Sequence, residues 1–531
     1  MVEAEINTAN KRQQIHFWIY FVGLCLFVVS IPTSPYMITV SQIIIGLNWI
    51  AEGRFNSKMQ KFLDNKPAVV FSLIYFLFVV GLLWTNNYKN AFQNDLLHKL
   101  PTFTLTLFIV SSKSLKINQI RFLILMFIAS VLTVSFIGTY NLLFADLATY
   151  RYILPYGSHI YYSLMLIMSA FMLPWIIKQI TDKKKFLILS LVLSIWMIIF
   201  LFLLRSLSGI ASLSGVFVFM VIWFVFKIKN LAVRITITVV FLLVIVSSTF
   251  VFNYIYEKAA NVVHYEFEKL ETHTAEGNEY VNDTTKTLRE NGHLVFIYIS
   301  EVELREEWNA ISEIDFNGKT SNQQILKYNL YRYMASKGFK KDREHFKLLE
   351  ESDIRAIEDG VPNYLYVNWP GIFQRIHQTI AGTFIFKETQ NPEWSTFAQR
   401  IDLWQASITA IKKYPVIGWG TGDLFEAVQF GLVENGSYYY VGQDVKPHNQ
   451  FLLILISLGF VGLLLFIGFY TFTVVKSKGY KVLYFNIFLV AYGINMFGNN
   501  PIDAQLGQSL FVFFTVLFCF LYPRKNDEKV F

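Results

Sequence analysis

Five side chains in this 531-residue chain could do chemistry, and each stands beside a long apolar run. Arg205 ends one run, in LLRSLSG. Arg151 and His159 flank the start of another, in TYRYILPYGSHIYY. Arg400 lies on the amphipathic stretch WSTFAQRIDLWQASITAIKKYP, and His448 opens the run KPHNQFLLILISLGFVGLLLF. Charge next to a bilayer is costly, so each position asks for a reason. Plain structural readings exist. Arg151 and Arg205 can snorkel to lipid phosphates. Arg400 can stack on Trp404 one turn on. His448 can be a polar helix-start residue, and His159 an interfacial histidine. Taken together, they supply several cations and one base. That combination suits departure of a diphosphate: arginine binds phosphate with a planar fork, and fixed positive charge strengthens as the bond breaks. A histidine neutral near pH 7 can take the proton of an attacking hydroxyl. Pro447 marks a helix start, where the dipole disfavours imidazolium by about 0.3–1 kcal/mol. Asp402 and Asp423 lie near, but no D-x-D pattern accompanies them, and no metal is expected.

The elements that must position these groups are membrane helices. Hydrophobic residues make up 54% of the chain and charged ones only 16%, with 51 phenylalanines. Soluble domains carry about 25% charged residues. The composition excludes an ordinary soluble enzyme, a disordered chain and a nucleic-acid-binding domain. The two cysteines, Cys25 and Cys519, lie in apolar runs far apart, which excludes a disulfide framework or a C-x-x-C zinc site. A span needs about 20 mostly apolar residues. Twelve candidates are expected, near 16–33, 35–51, 67–84, 98–112, 119–144, 158–177, 185–204, 207–227, 233–254, 448–475, 481–498 and 505–522. The first reads as an uncleaved span. The fold class is all-α and polytopic, with helices one to nine in 1–254, one large and mainly helical loop in 255–447, and helices ten to twelve plus a tail in 448–531.

Orientation follows from Lys and Arg in the short loops. Alternate loops, beginning with the N-terminus, hold 22 of them and the others only 4. Both termini are therefore expected in the cytoplasm and the large loop outside. That loop carries a net charge of −8, so the overall +8 anchors the inner face and is no patch for nucleic acid. Within the loop, Glu301–Ile314, Asn322–Ser336 and Arg343–Gly360 read as helices. Phe397, Ile401, Trp404, Ile408 and Ile411 mark one apolar face of a helix stopped by Pro415. VIGWGTGDLF follows, with three glycines in six residues, a turn that lets backbone approach something closely.

Arg400, Trp404, Pro415, Gly418, Gly420, Gly422, His448, Asn449, Gly459 and Gly462, set in this architecture, resemble the O-antigen ligase and O-antigen polymerase superfamily. The architecture covers the whole chain; the local pattern covers about 397–462. The resemblance implies a metal-independent, cofactor-free bacterial membrane glycosyltransferase of the inner membrane, its large loop periplasmic. The donor would be a glycan on undecaprenyl diphosphate. The acceptor would be a hydroxyl, lipid A core in the ligases. His448 would be the catalytic base. Arg400 would bind the diphosphate, with Arg205 and Arg151 as further candidates and Asn449 and Trp404 in support. The family usually carries an arginine where RSLSG places Gly209; Arg205, one turn earlier, is the candidate substitute. Polymerase and protein O-oligosaccharyltransferase share the donor chemistry. In another class, a secondary transporter would also have twelve spans, but no two-fold repeat is visible in the hydropathy; a scaffold would leave Arg400 and His448 without a role.

Overall fold

A computed structural model of the chain describes residues 2–145, 153–155, 158–393, 395–437 and 439–522. It divides into two compact units. The first comprises residues up to 145, 153–223 and those from 403 onward; the second comprises 224–402.

The first unit begins with α1 (Val2–Thr33) and α2 (Pro35–Glu52). The break between them is set by Ser34, whose hydroxyl accepts from the Met37 amide, and by Pro35 in the first turn. The amphipathic α3 (Phe55–Asp64) leads to α4 (Lys66–Val80), which Asn65 caps. Two single turns, α5 (Tyr88–Asn90) and α6 (Leu97–Lys99), precede α7 (Pro101–Ser111). The long helices α8 (Ile117–Phe144), α9 (His159–Ile180), α10 (Lys184–Leu203) and α11 (Leu207–Lys227) follow, the last running past the unit boundary.

The second unit contains α12 (Leu231–Ala259) and a soluble-type core. Strands β1 (Arg289–Glu290) and β2 (His293–Leu294) pair antiparallel. Their two-residue turn is Asn291-Gly292, both at positive φ, the sequence a tight hairpin prefers. Helices α13 (Glu301–Ile311), α14 (Leu326–Ser336), α15 (Arg343–Phe346) and α16 (Glu351–Glu358) come next. Their core gathers Trp308, Phe316, Leu330, Tyr331 and Tyr333. The helix expected over 343–360 is two helices. A capping box between Glu350 and Asp353 starts a new one where the spacing alone suggested continuity. The unit closes with α17 (Gly371–Thr389) and the first turns of α18 (Thr396–Lys413).

From Leu403 the chain returns to the first unit with the rest of α18, then α19 (Leu424–Glu434), α20 (Gln450–Lys476), α21 (Leu483–Gly498) and α22 (Gln505–Val516). Among the described residues, eight helices are long and apolar enough to cross a membrane: Lys11–Thr33, Lys66–Trp84, α8 to α12, and α20. Helices also stand at the other four expected places, 35–51, 98–112, 481–498 and 505–522. They are shorter or less apolar.

Candidate functional site

The apolar face of α18 is rotated from the one its spacing suggested. Phe397 and Ile408 are exposed, whereas Ala398, Leu403, Ala406 and Ala410 are buried. Leu403, Ala406, Ala410 and Ile411 form a core with Leu424, Ala427 and Val428 of α19 and with Leu453 and Ile456 of α20. Small residues win this face because they allow close approach: a Cβ on Gly431 of α19 would fall on the Ala406 carbonyl. Bulky Ile408 and Phe397 are left to the surface.

The glycine turn after Pro415 does approach backbone, and the backbone is that of α20. This helix is interrupted at Gly459, which adopts φ 63°. The amides of Trp419 and Gly420 donate to the carbonyls of Ile456 and Ser457 at 2.7 and 3.1 Å. In return, the amides of Phe460 and Val461 donate to the carbonyls of Pro415 and Val416 at 2.8 and 3.1 Å. Irregular backbone at membrane depth is tolerated only when its polar groups are satisfied by protein in this way. Gly418 sits at φ 75° against the carbonyl of Ile456, so a side chain there would collide. The far end of the turn is anchored too. Asp423 accepts from the amides of Asn86 and Asn87 at 2.8 Å each, and Thr421 donates to the carbonyl of Phe78 at 2.6 Å. One of the two carboxylates noted near the site thus holds backbone.

This frame presents His448. Nε1 of Trp404 donates to the carbonyl of Pro447 at 2.8 Å, fixing the peptide just before it. Asn449 caps α20, its side-chain oxygen accepting from the amides of Phe451 and Leu452, while its Nδ2 donates to the carbonyl of Phe497 at 3.0 Å. Gln450, fully buried, donates to Asp503 at 2.8 Å and accepts from the amide of Ile502 at 2.9 Å. Between these clamps His448 is exposed and has φ 49°. A non-glycine residue held in the left-handed region is strained, and such strain concentrates at functional sites.

Beneath α20 lies a buried ion cluster that sequence reading passed over. Lys99, 1% exposed, pairs with Asp95 at 3.1 Å and with Asp503. Burial would push the Asp503 carboxyl up, but the ammoniums of Lys99 and Lys446 outweigh it and hold it below its ordinary value. In sequence Lys99 was one sparse cation in a loop and Asp503 one acid in NNPID; nothing local pairs residues so far apart.

Arg205 is exposed in the turn between α10 and α11 and is also left-handed, at φ 50°. Nδ2 of Asn499 donates to the Ser208 hydroxyl at 3.1 Å. Since Asn449 is bonded to Phe497, the end of α21 ties the start of α11 to the start of α20. Arg205, His448, Asn449 and Trp404 therefore share one unit, and the first three flank this tie. Gly209, where the resemblance led one to look for an arginine, packs against Ser163 of α9 and has no room for a side chain. Arg151 lies outside the described residues.

Arg400 belongs to the second unit, and with it comes a residue the sequence reading did not single out. Arg375 on α17 donates to the Thr396 hydroxyl at 3.0 Å, at the start of α18. Burial, and then the charge of Arg375, lower the pKa of Arg400. Two guanidiniums near enough to repel each other are stabilised by a shared anion. The signal in sequence was an arginine on a helix facing the R-x-x-x-W helix, which becomes visible only once both helices are placed.

An all-α chain with eight helices, among the described residues, long and apolar enough to cross a membrane is of the polytopic membrane protein class. Residues 360–467 match the family model described as O-antigen ligase, which supports the O-antigen ligase superfamily and, broadly, a ligase- or polymerase-type function. The match takes in Arg375, Arg400, Trp404, the glycine turn, His448 and the break in α20. No curated protein matches the chain.

Proposed function

We propose that the protein moves a glycan from an undecaprenyl-diphosphate carrier to an acceptor hydroxyl, lipid A core foremost, at the periplasmic face of a bacterial inner membrane. Twelve spans, cytoplasmic termini and a periplasmic loop over 255–447 complete this reading, and the charge asymmetry of the short loops supports them. The observation that carries the reading is His448: exposed, left-handed, and clamped on both sides by Trp404 and Asn449 within the region that matches the ligase family.

In the reaction, the acceptor oxygen attacks the anomeric carbon as His448 accepts the hydroxyl proton. The bond from that carbon to the diphosphate oxygen breaks, with inversion, and its electron pair stays on the leaving diphosphate. Arg400 and Arg375, with Arg205 and Arg151 as further contributors, stabilise that growing charge. Neither a metal nor a cofactor is required. The base contributes about 10²–10⁴ in rate, and one diphosphate-binding arginine about 3–4 kcal/mol of transition-state stabilisation.

The test is surface polysaccharide in a deletion strain complemented with wild type, His448→Ala or Arg400→Ala. Polymer made but left unattached, with both variants failing to rescue, supports a ligase. A single repeat on the core reassigns the protein as a polymerase, and unchanged lipopolysaccharide with altered glycoproteins as a protein transferase. Full rescue by both well-expressed variants overturns the site.

A further inference from the structure

A second polar site lies in the first unit, away from His448 and independent of the transferase reading. The stretch of α1 from Gln13 to Tyr20, the ends of α2 and α7, and α3 line an open cavity of about 230 Å³. That is below the roughly 300–1,000 Å³ of pockets for drug-sized ligands, a volume for a small headgroup. Arg54, Lys58, Lys61 and Lys113 line it, opposed by the single carboxylate of Glu52. Lys58 is buried and is consumed by Glu52 at 2.8 Å and by the carbonyl of Trp49 at 2.7 Å. The other three cations meet neutral groups. Lys61 donates to the Ser112 carbonyl, Lys113 lies 5.2 Å over the Phe17 ring, and Arg54 faces the Gln13 side-chain amide. The pocket thus holds four cations against one carboxylate, Glu52, whose charge is shared between Lys58 and Lys61, leaving an excess of positive charge.

Helix α3 shows what faces this pocket. Phe55, Met59 and Leu63, four residues apart, form a stripe exposed by 49%, 39% and 55%, while Lys58 and Phe62 on the adjoining side are 5% exposed. A ten-residue helix with an open apolar stripe and a basic inner side is built to lie in the interface, its stripe in the acyl chains. The cavity behind it then stands at headgroup depth. We infer that this pocket binds the phosphate of an anionic phospholipid headgroup, held by Arg54, Lys61 and Lys113, with its acyl chains along the α3 stripe.

The experiment is native mass spectrometry of the full chain in detergent, titrated with phosphatidylglycerol, phosphatidylcholine or inorganic phosphate. Phosphatidylglycerol adducts retained at concentrations where phosphatidylcholine gives none support the site. The variant Arg54→Gln/Lys61→Gln should weaken retention about 10- to 30-fold, the loss expected for two interfacial cations. Glu52→Gln should strengthen it several-fold, a gain that a misfolded protein would not give. Lys184→Gln/Lys185→Gln, on exposed cations elsewhere, should leave it unchanged. Equal loss in that control, or no gain in Glu52→Gln, overturns the proposal. Displacement of nothing by phosphatidylglycerol, with inorganic phosphate alone retained, overturns the lipid assignment.

Discussion

Replacing Gly459 with alanine tests how the broken helix is held. An alanine there must keep φ 63° with ψ −168°, a region open essentially only to glycine, which costs an L-residue about 1–3 kcal/mol. Its Cβ would also fall on the backbone of Val416 and Ile417. Backbone cannot swing aside as a side chain can, so the Pro415–Gly420 turn must move. Four hydrogen bonds at 2.7–3.1 Å then fail together, each worth about 1 kcal/mol net. The expected destabilisation is about 5 kcal/mol. Gly468 on the same helix supplies the control: a Cβ there meets nothing, and alanine favours helix. Both variants would be unfolded in mixed micelles with increasing sodium dodecyl sulfate, following tryptophan fluorescence, which Trp419 in the turn makes locally sensitive. Gly468→Ala should match wild type within about 1 kcal/mol. If Gly459→Ala matches it too, the turn does not support α20 and the reasoning fails. Loss of glycan transfer by Gly459→Ala in the cell assay, with Gly468→Ala active, would follow from displacement of the frame that presents His448.

Two further outcomes are expected. Lys99→Met strands Asp95 and Asp503 in the interior and should cost about 3–5 kcal/mol; adding Asp95→Asn and Asp503→Asn should recover most of it, as read by thermal unfolding in detergent. Burial pushes His377 down to about 4, so the unfolded chain binds its proton first. Stability should therefore be full above about pH 6.5 and fall as pH drops towards 4, by about 3 kcal/mol at most. His377→Gln should flatten that slope between pH 4.5 and 7, and an unchanged slope would assign it to other groups.

Much of the architecture was legible in the residues because membrane burial is a one-dimensional signal: a helix in lipid must be long and apolar by itself. Helices stand at all twelve expected positions, although α7, α21 and α22 are short and α2 is less apolar. Eight of the described helices are long and apolar enough by themselves to cross a membrane. The glycines of the 415–422 turn were rightly read as marks of close approach, since only glycine leaves such room. What they approach, the interruption of α20, was not legible, because a break at Gly459 is stable only when a distant segment satisfies its backbone. The same reason hid the rest. Spacing offered Phe397 and Ile408 as the packed face of α18, but the fit of α19 chose alanines. Gly209 was noted as a departure from the family pattern, and Ser163 across the helix contact explains it. The ion pair of Lys99 with Asp503 and the approach of Arg375 to Arg400 join residues on separate elements, and contacts between elements leave no periodic trace. Residue type, spacing and local propensity thus determined which segments are membrane helices and which side chains have reactive chemistry. Tertiary structure alone decided which of them meet, because each such contact is set by how two surfaces pack and by which buried polar group must find a partner.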